Sequence, residues 1–454
     1  MMNRLFGTDG VRGIVGEELS AETALAIGMA LGTVLRADRT QTRPRIIIGS
    51  DTRISSDLLT SAVASGLASM GCDCYNVGVV PTPAVAYITA HEGANAGVMI
   101  SASHNPYRYN GIKIFNGDGF KLSDSLEDEI EALVSGKTLL SSCAECESLG
   151  RIFDGKHLVG DYVAYIKSTS AKPLDGLRIA IDCANGSASA TAKAVFSDTG
   201  ADITYLFDQP NGININKECG STRLTSLSEY VTSRKLDCGI AFDGDADRCL
   251  AVDENGREID GDFIMAILSL ALRRRGALKR NTVVGTVMTN YGFSAFCEEQ
   301  GINFLTARVG DRYVLEQMEL HGYALGGEQS GHIILREYAS TGDGQLTALH
   351  LLAELKESGM PLSELASCMK KYPQHTVNVE ASTEQKSAFL TDAGIKAIIE
   401  DAEERLIGRG RIVVRPSGTE PLVRIMIEDS DPELAESLCI SVARSIRDRL
   451  GKYR

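Results

Sequence analysis

The sequence predicts an α/β protein of three or four domains, on three observations. Its 454 residues exceed what one hydrophobic core ordinarily organises. Short strand-like runs alternate with helical patterns over most of the length, as in units built on parallel strands. Three segments also open alike. RIIIG (45–49) leads into Ser50-Asp51-Thr52-Arg53, LRIAID (177–182) into Cys183-Ala184-Asn185-Gly186, and TVVGT (282–286) into Val287-Met288-Thr289-Asn290. Each reads as a buried strand ending in small or polar residues before a helix. Their wide spacing fits three similar domains rather than a solenoid.

The last section differs. From about Pro373 the pattern predicts a strand (HTVNVE), one long helix from Thr383 to Leu406, two strands (RIVV and LVRIMIE), and a final helix starting near Asp431. Pro432 falls in that helix's first turn, where proline is favoured. This order suggests a small α+β domain. Linkers are expected near Gly150–Gly155, Asp253–Gly256 and Lys370–Gln374, giving domains over 1–153, 154–254, 255–369 and 370–454.

Composition narrows the function. Hydrophobic content of 43% and charged content of 23% describe a folded globular chain. The longest apolar run, Phe263 to Leu272, is too short for a bilayer, and the N-terminus has no apolar stretch of signal length. A net charge of −14 argues against nucleic acid or an acidic membrane as partner. Eleven scattered cysteines fit reduced thiols in a cytoplasm. Cys143 and Cys146 lack a second pair, so unpaired surface thiols are expected rather than zinc. A homodimer is compatible with the sequence, which does not set the oligomeric state.

Four loops carry chemistry. Ser101-Ala102-Ser103-His104-Asn105-Pro106 follows the apolar strand Gly97–Ile100, and Pro106 keeps Asn105 out of the helical region, so Ser103 is displayed on an irregular turn. A plain Ser-Asn-Pro turn is the alternative. A Ser–His hydrolase pair is discounted because adjacent residues rarely aim their side chains at each other. In Asp243-Gly244-Asp245-Ala246-Asp247-Arg248, three carboxylates alternate with small residues after a strand. Converging carboxylates repel unless a cation sits between them, and hard oxygen ligands select Mg²⁺ or Ca²⁺; a solvated acidic turn is the alternative. An EF-hand is excluded by Arg248 at the turn-glycine position and by the strand Cys249–Asp253. Three ligands leave octahedral positions for a phosphate oxygen and water. Arg415-Pro416-Ser417-Gly418-Thr419-Glu420-Pro421, with Arg424, offers a backbone concavity, two hydroxyls and two guanidinium forks for a phosphate, against a plain hairpin turn. Gly326-Gly327-Glu328-Gln329-Ser330-Gly331-His332 pairs a carboxylate and a hydroxyl able to grip vicinal sugar hydroxyls, evenly balanced against a flexible turn. Weaker features are the loop Phe6–Gly13 with Arg12, which has no preceding strand and no dinucleotide fingerprint, Asn110-Gly111-Ile112-Lys113, and Arg308–Arg312.

These loops, in this order on separate α/β units, resemble the α-D-phosphohexomutase superfamily and, within it, the bacterial phosphoglucosamine mutases. The resemblance covers nearly the whole chain through SASHNP (101–106), NGIK (110–113), GDGFKL (117–122), DGDADR (243–248), VGDRYV (309–314), GGEQSGH (326–332) and RPSGTEP (415–421). Gln329, the FGTDG opening and CGST at 219–222 look like the glucosamine branch; Tyr107-Arg108-Tyr109 and Arg223 depart from it. The resemblance implies four domains around a central cleft, three of related mixed α/β topology and a smaller, mobile C-terminal one closing over the intermediate. It implies a cytoplasmic enzyme with one Mg²⁺ per chain, held by Asp243, Asp245, Asp247 and Ser103, which carries the phosphoryl group. Arg415, Ser417, Gly418, Thr419 and Arg424 would hold the phosphate of a small hexosamine phosphate, Glu328 and Ser330 its hydroxyls, and Arg248 would add a positive contact. Lys113, Arg12 and His332 are the candidates for proton transfer. The implied reaction interconverts glucosamine 6-phosphate and glucosamine 1-phosphate through a bisphosphate, feeding amino-sugar and cell-wall precursor synthesis. Alternatives are a phosphomannomutase/phosphoglucomutase, a metal phosphatase using the same aspartates, and a sugar-phosphate-binding protein without activity.

Overall fold

The computed structural model describes residues 5–7, 9–37, 43–137, 142–170, 172–417 and 420–453. The first sheet comprises β1 (Val11–Ile14), β2 (Arg45–Ser50), β3 (Asp73–Val79), β4 (Ala96–Ile100), β5 (Tyr109–Asn116) and β6 (Ile152–Asp154), in the order β1-β5-β4-β2-β3-β6. Strands β4, β2, β3 and β6 run parallel; β5 and β1 extend the sheet antiparallel. β4 is buried along its whole length, which is why it reads as a continuous apolar run rather than an alternating one. The second sheet holds β7 (Arg178–Asp182), β8 (Asp202–Leu206), β9 (Cys238–Phe242), β10 (Cys249–Asp253) and β11 (Glu258–Ile259), ordered β11-β10-β9-β7-β8. The third holds β12 (Thr282–Thr286), β13 (Asn303–Ala307), β14 (Leu325–Gly327) and β15 (Ile333–Leu335), ordered β13-β12-β14-β15.

One plan underlies all three. The orders β5-β4-β2-β3, β10-β9-β7-β8 and β15-β14-β12-β13 correspond strand for strand, and β2, β7 and β12 are the three alike segments of the sequence. The last sheet is antiparallel: β16 (Gln374–Glu380), β17 (Gly410–Pro416) and β18 (Leu422–Asp429), with β18 in the middle. Its apolar face packs Val423, Ile425 and Ile427 into one core with Leu438, Val442 and Ile446 of the helix Pro432–Leu450, which Asp431 caps. The expected α/β class with a small α+β end is the observed one. Residues up to 286 together with 305–368 form one compact unit, and 287–304 with 369–453 a second. No helix among the described residues is long and apolar enough to cross a membrane.

Several expectations are corrected. Gly150–Gly155 is not a free linker, because β6 within it pairs with β3 and Phe153 stacks on Tyr75 at 5.0 Å. Asp253–Gly256 is the turn of the β10–β11 hairpin, closed by Gly256 N–H to Asp253 O and made possible by φ +82° at Gly256. The helix expected over 383–406 is two helices, Thr383–Thr391 and Ala393–Leu406. Asp392 breaks it by turning its carboxylate onto Ile395 N–H as a new N-cap, where it also takes Arg449. The glycine-punctuated N-terminal loop ends in a strand, β1, drawn out by pairing with β5. Cys143 and Cys146 are exposed free thiols, as expected.

Candidate active site

Three of the four loops occupy one slot in the repeated plan, between the last parallel strand and its antiparallel partner. The Ser103 loop joins β4 to β5, the acidic loop β9 to β10, and the Glu328–His332 loop β14 to β15. Each leaves the carboxyl end of a parallel strand, where open α/β sheets place their ligands.

Ser103 is 1% exposed and has φ +50°, a left-handed conformation uncommon for a residue with a Cβ. Its hydroxyl donates to Asp243 Oδ2 at 2.6 Å. Gly244 lets the two loops meet, since a Cβ there would lie 2.5 Å from Ser103 O. The discounted neighbour is in contact after all: His104 Nδ1 lies 3.2 Å from Ser103 Oγ. The left-handed turn brings the adjacent side chains together, which an extended or helical backbone would not. Burial, then Arg248 and Arg12, push the His104 imidazole down to about 4.

Ala246, at φ +54°, turns the acidic loop back on itself, and the carboxylates of Asp243, Asp245 and Asp247 offer ligand atoms within 4.8 Å of one another. All three are buried. Thr82, opening the helix Thr82–His91, gives Asp245 both its N–H (2.9 Å, to the carbonyl) and its hydroxyl (2.6 Å, to Oδ2). Asp245 Oδ1 and Asp247 Oδ1 are buried with no hydrogen-bond partner among the described residues. Burial, then the Asp247 and Asp245 charges, push Asp243 well above the usual carboxylate range. Buried carboxylates with orphaned oxygens and mutual repulsion fit a hard divalent cation.

Lys113 is 2% exposed, with Nζ 2.8 Å from Asp245, 3.1 Å from Asp9 and 3.5 Å from Asp247. Burial opposes its charge, but those three carboxylates raise its proton affinity well above the ordinary lysine value. Asp9 also pairs with Arg12 and Lys121, and Lys121 with Asp311 at 2.6 Å. His332 closes the ring, Nε2 3.4 Å from Asp311 and Nδ1 3.5 Å from Asp247. Burial disfavours a charged His332, while Asp247, Asp311 and Glu328 raise it to about 9. Gly342 N–H nevertheless donates to Nε2 at 3.1 Å, a contact that only the neutral ring accepts. The carboxylates thus favour the charged ring, and the Gly342 contact the neutral one with its proton on Nδ1.

The sugar-loop candidates lie beside this ring. Glu328 accepts from Gly310 N–H (3.1 Å), and Ser330 Oγ stands 3.5 Å from its second oxygen. Glu328 acts electrostatically on Arg248 and His332, and Arg248 Nε is 3.8 Å from Asp247. In the second unit, Arg415 and Arg424 are cross-strand partners in the β17–β18 register. Like charges directly opposite destabilise a sheet unless an anion lies between them. Glu420 takes part of the charge of Arg424, and Ser417 Oγ accepts from Glu420 N–H (3.1 Å). Lys386, not singled out from the sequence, puts Nζ on the carbonyls of Ser417 (3.0 Å) and Glu420 (3.1 Å). Gly418 and Thr419 lie outside the described residues.

Models of the four phosphoglucomutase/phosphomannomutase domains match in order: domain I over residues 3–140, domain II over 160–256, domain III over 260–372 and the C-terminal domain over 377–445. The chain belongs to the phosphoglucomutase/phosphomannomutase family. Within it, a phosphoglucosamine mutase of Caldicellulosiruptor saccharolyticus is 50% identical, covering 99% of this chain and 100% of the relative. One of Acetivibrio thermocellus is 48% identical over the same shares. Among solved structures, a phosphoglucomutase/phosphomannomutase family protein from Burkholderia thailandensis is similar at TM-score 0.82 and 23% identity, covering 99% of this chain and 98% of that one. An Aspergillus fumigatus N-acetylphosphoglucosamine mutase, solved with GlcNAc-6P and magnesium, gives 0.67 at 19% identity, covering 98% and 95%.

Proposed function

We propose that the chain is a phosphoglucosamine mutase that interconverts glucosamine 6-phosphate and glucosamine 1-phosphate through phospho-Ser103 and a bisphosphorylated hexosamine. The observation that carries this reading is one contact: Ser103 Oγ, presented on a left-handed turn, lies 2.6 Å from the first carboxylate of a buried acidic triad. Family membership and full-length relatives of that name support the substrate class.

In this reading Asp243, Asp245, Asp247 and Ser103 hold Mg²⁺, which when bound neutralises charge on the transferring phosphoryl group. Phospho-Ser103 gives its phosphoryl group to the free sugar hydroxyl, the Oγ–P bond breaking as the sugar O–P bond forms and the hydroxyl proton being released. After the bisphosphate turns, Ser103 Oγ, whose hydroxyl donates to Asp243 Oδ2, attacks the other phosphate, and the sugar oxygen leaves and takes a proton. Lys113, wedged among Asp9, Asp245 and Asp247, keeps its proton and acts as a fixed cation. Arg12 likewise stays charged. His332, whose Nδ1 faces Asp247 at 3.5 Å, is the member of this group left to handle a proton at the reacting hydroxyl. Glu328 and Ser330 bind sugar hydroxyls and Arg248 adds positive charge. Arg415, Ser417, Gly418, Thr419 and Arg424 grip the phosphate not being transferred. Forked arginines suit either phosphate of the bisphosphate, as a substrate that must turn end over end requires.

The test is Ser103→Ala, with the wild type assayed side by side on glucosamine, glucose and mannose phosphates. The expected result is no turnover in the variant, one phosphoryl group on Ser103 by intact mass in the wild type, and glucosamine phosphate as the best substrate. Normal turnover in the variant ends the covalent reading. Release of inorganic phosphate in place of isomerised sugar makes the protein a phosphatase.

A further inference from the structure

β2 leads from Ser50 into Asp51-Thr52-Arg53, a run to which the proposed reaction gives no part. Arg53 is 2% exposed, and all five of its side-chain N–H donors have acceptors. Nε donates to Asp51 Oδ2 (2.8 Å). Nη1 donates to the carbonyls of Pro106 (2.6 Å) and Tyr109 (2.9 Å), and Nη2 to those of Ser103 and Asn105 (both 2.9 Å). One planar guanidinium thus gathers four carbonyls of the nucleophile loop. Its partner holds the other side of Ser103. Asp51 Oδ2 accepts from Ser101 Oγ (2.6 Å), which in turn accepts from Ser103 N–H (2.9 Å).

Four carbonyls pointing at one spot repel, and Ser103 sits at φ +50°. Neither arrangement is stable without a compensating donor array. Released, the loop would relax toward the ordinary extended region before Pro106, and Oγ would leave Asp243. A lysine carries the same charge with three donors and no plane, so it cannot reproduce this array.

We propose that the Asp51–Arg53 pair is the positioning device of the nucleophile: it fixes both the N–H and the C=O of Ser103, and so aims Oγ at the acidic triad. The inference rests on Ser103 being the phosphoryl carrier.

The test compares Arg53→Lys and Ser101→Ala with Ser103→Ala. Ser101→Ala leaves the buried ion pair in place and removes only the bridge to Ser103 N–H, so it stays informative if Arg53→Lys fails to fold. Both are expected to lower kcat by roughly tenfold to a hundredfold, with KM for the hexosamine phosphate within about twofold, because the groups that grip substrate are untouched. Both are also expected to slow phosphorylation of Ser103 by a hexose bisphosphate, read by intact mass, and the double variant should be no worse than Arg53→Lys. Wild-type kcat and phosphorylation in folded Ser101→Ala overturn the proposal. So does a loss shared equally by kcat and by affinity, which marks general loosening. If Ser103→Ala itself turns over, the covalent reading falls first, and the two failures are told apart.

Discussion

Gly244→Ala tests the meeting of the two loops most directly. The φ of Gly244 lies outside the left-handed region, so alanine meets no backbone penalty and the effect is steric. The new Cβ would stand 2.5 Å from Ser103 O, 2.7 Å from Asn216 Nδ2 and 2.9 Å from Ile215 Cδ1. Ordinary contact begins at 3.4 Å, so the Ser103 carbonyl must retreat by about 0.9 Å. It cannot retreat freely, being held by Arg53 Nη2 and Asn216 Nδ2, both at 2.9 Å. The strain falls on the contact of Ser103 Oγ with Asp243. A displacement near 1 Å at a reacting atom costs on the order of a hundredfold in rate, and overpacking of this kind about 1–3 kcal/mol of stability. The variant should therefore fold, melt lower, keep its KM and lose about two decades of kcat in an assay of glucosamine phosphate isomerisation. Mg²⁺ affinity is measured alongside by calorimetry, to separate a displaced serine from a spoiled acidic loop. A folded variant with kcat within about threefold of wild type would refute the reasoning.

Three further outcomes follow from the same geometry. Saturating Mg²⁺ should raise Tm and chelation lower it, by about 2.7 kcal/mol of stability at a hundred times Kd; no shift counts against the triad as a cation site. Arg415→Ala should raise KM roughly tenfold to a hundredfold, the worth of a charged phosphate contact, with less effect on kcat; an unchanged KM removes Arg415 from the phosphate grip. Burial, then Arg275, depress His350 from 6.5 to about 4, with Nε2 3.2 Å from Thr169 Oγ1. Because its folded affinity is the lower one, its contribution is complete above about pH 6.5. It is lost as pH falls toward 4, at most about 3 kcal/mol. His350→Gln should flatten that acid limb in denaturant titrations; an unaltered slope between pH 6.5 and 4 excludes the residue as its source.

What was legible in the sequence is what composition alone makes costly. Three aspartates alternating with glycine and alanine repel where a tight buried loop makes them converge, which a cation relieves, and paired arginines around a Pro-Ser-Gly turn ask for an anion. Hence Asp243, Asp245, Asp247, Arg415 and Arg424 stood out before any geometry. Arg53 did not, because Ser-Asp-Thr-Arg after a strand is ordinary, and its value lies in four carbonyls fifty or more positions away. Lys121 and Asp311 were hidden for the same reason, each being a plain surface charge until Asp9 and His332 are brought beside them. The contact of His104 with Ser103 depends on a positive φ at a non-glycine residue, which no local pattern announces. The break at Asp392 needed Arg449, near the end of the chain, to make a mid-helix aspartate better as a cap than as a turn of helix.

The repeated plan explains why the chemistry divides as it does. Equivalent slots in three sheets put three loops at equivalent strand ends, and the middle loop meets both others. On one side Gly244 packs against Ser103. On the other, Cys249 N–H donates to Gly331 O, and Gly344 N–H donates to Ala246 O, next to the Glu328–His332 loop and the start of the helix that follows it. Under the proposed function, a cation held by the second loop would lie within reach of both Ser103 and the Glu328–His332 loop. The order serine, acids, glutamate along the chain then follows the order of three copies of one unit, with the acidic loop on the middle copy.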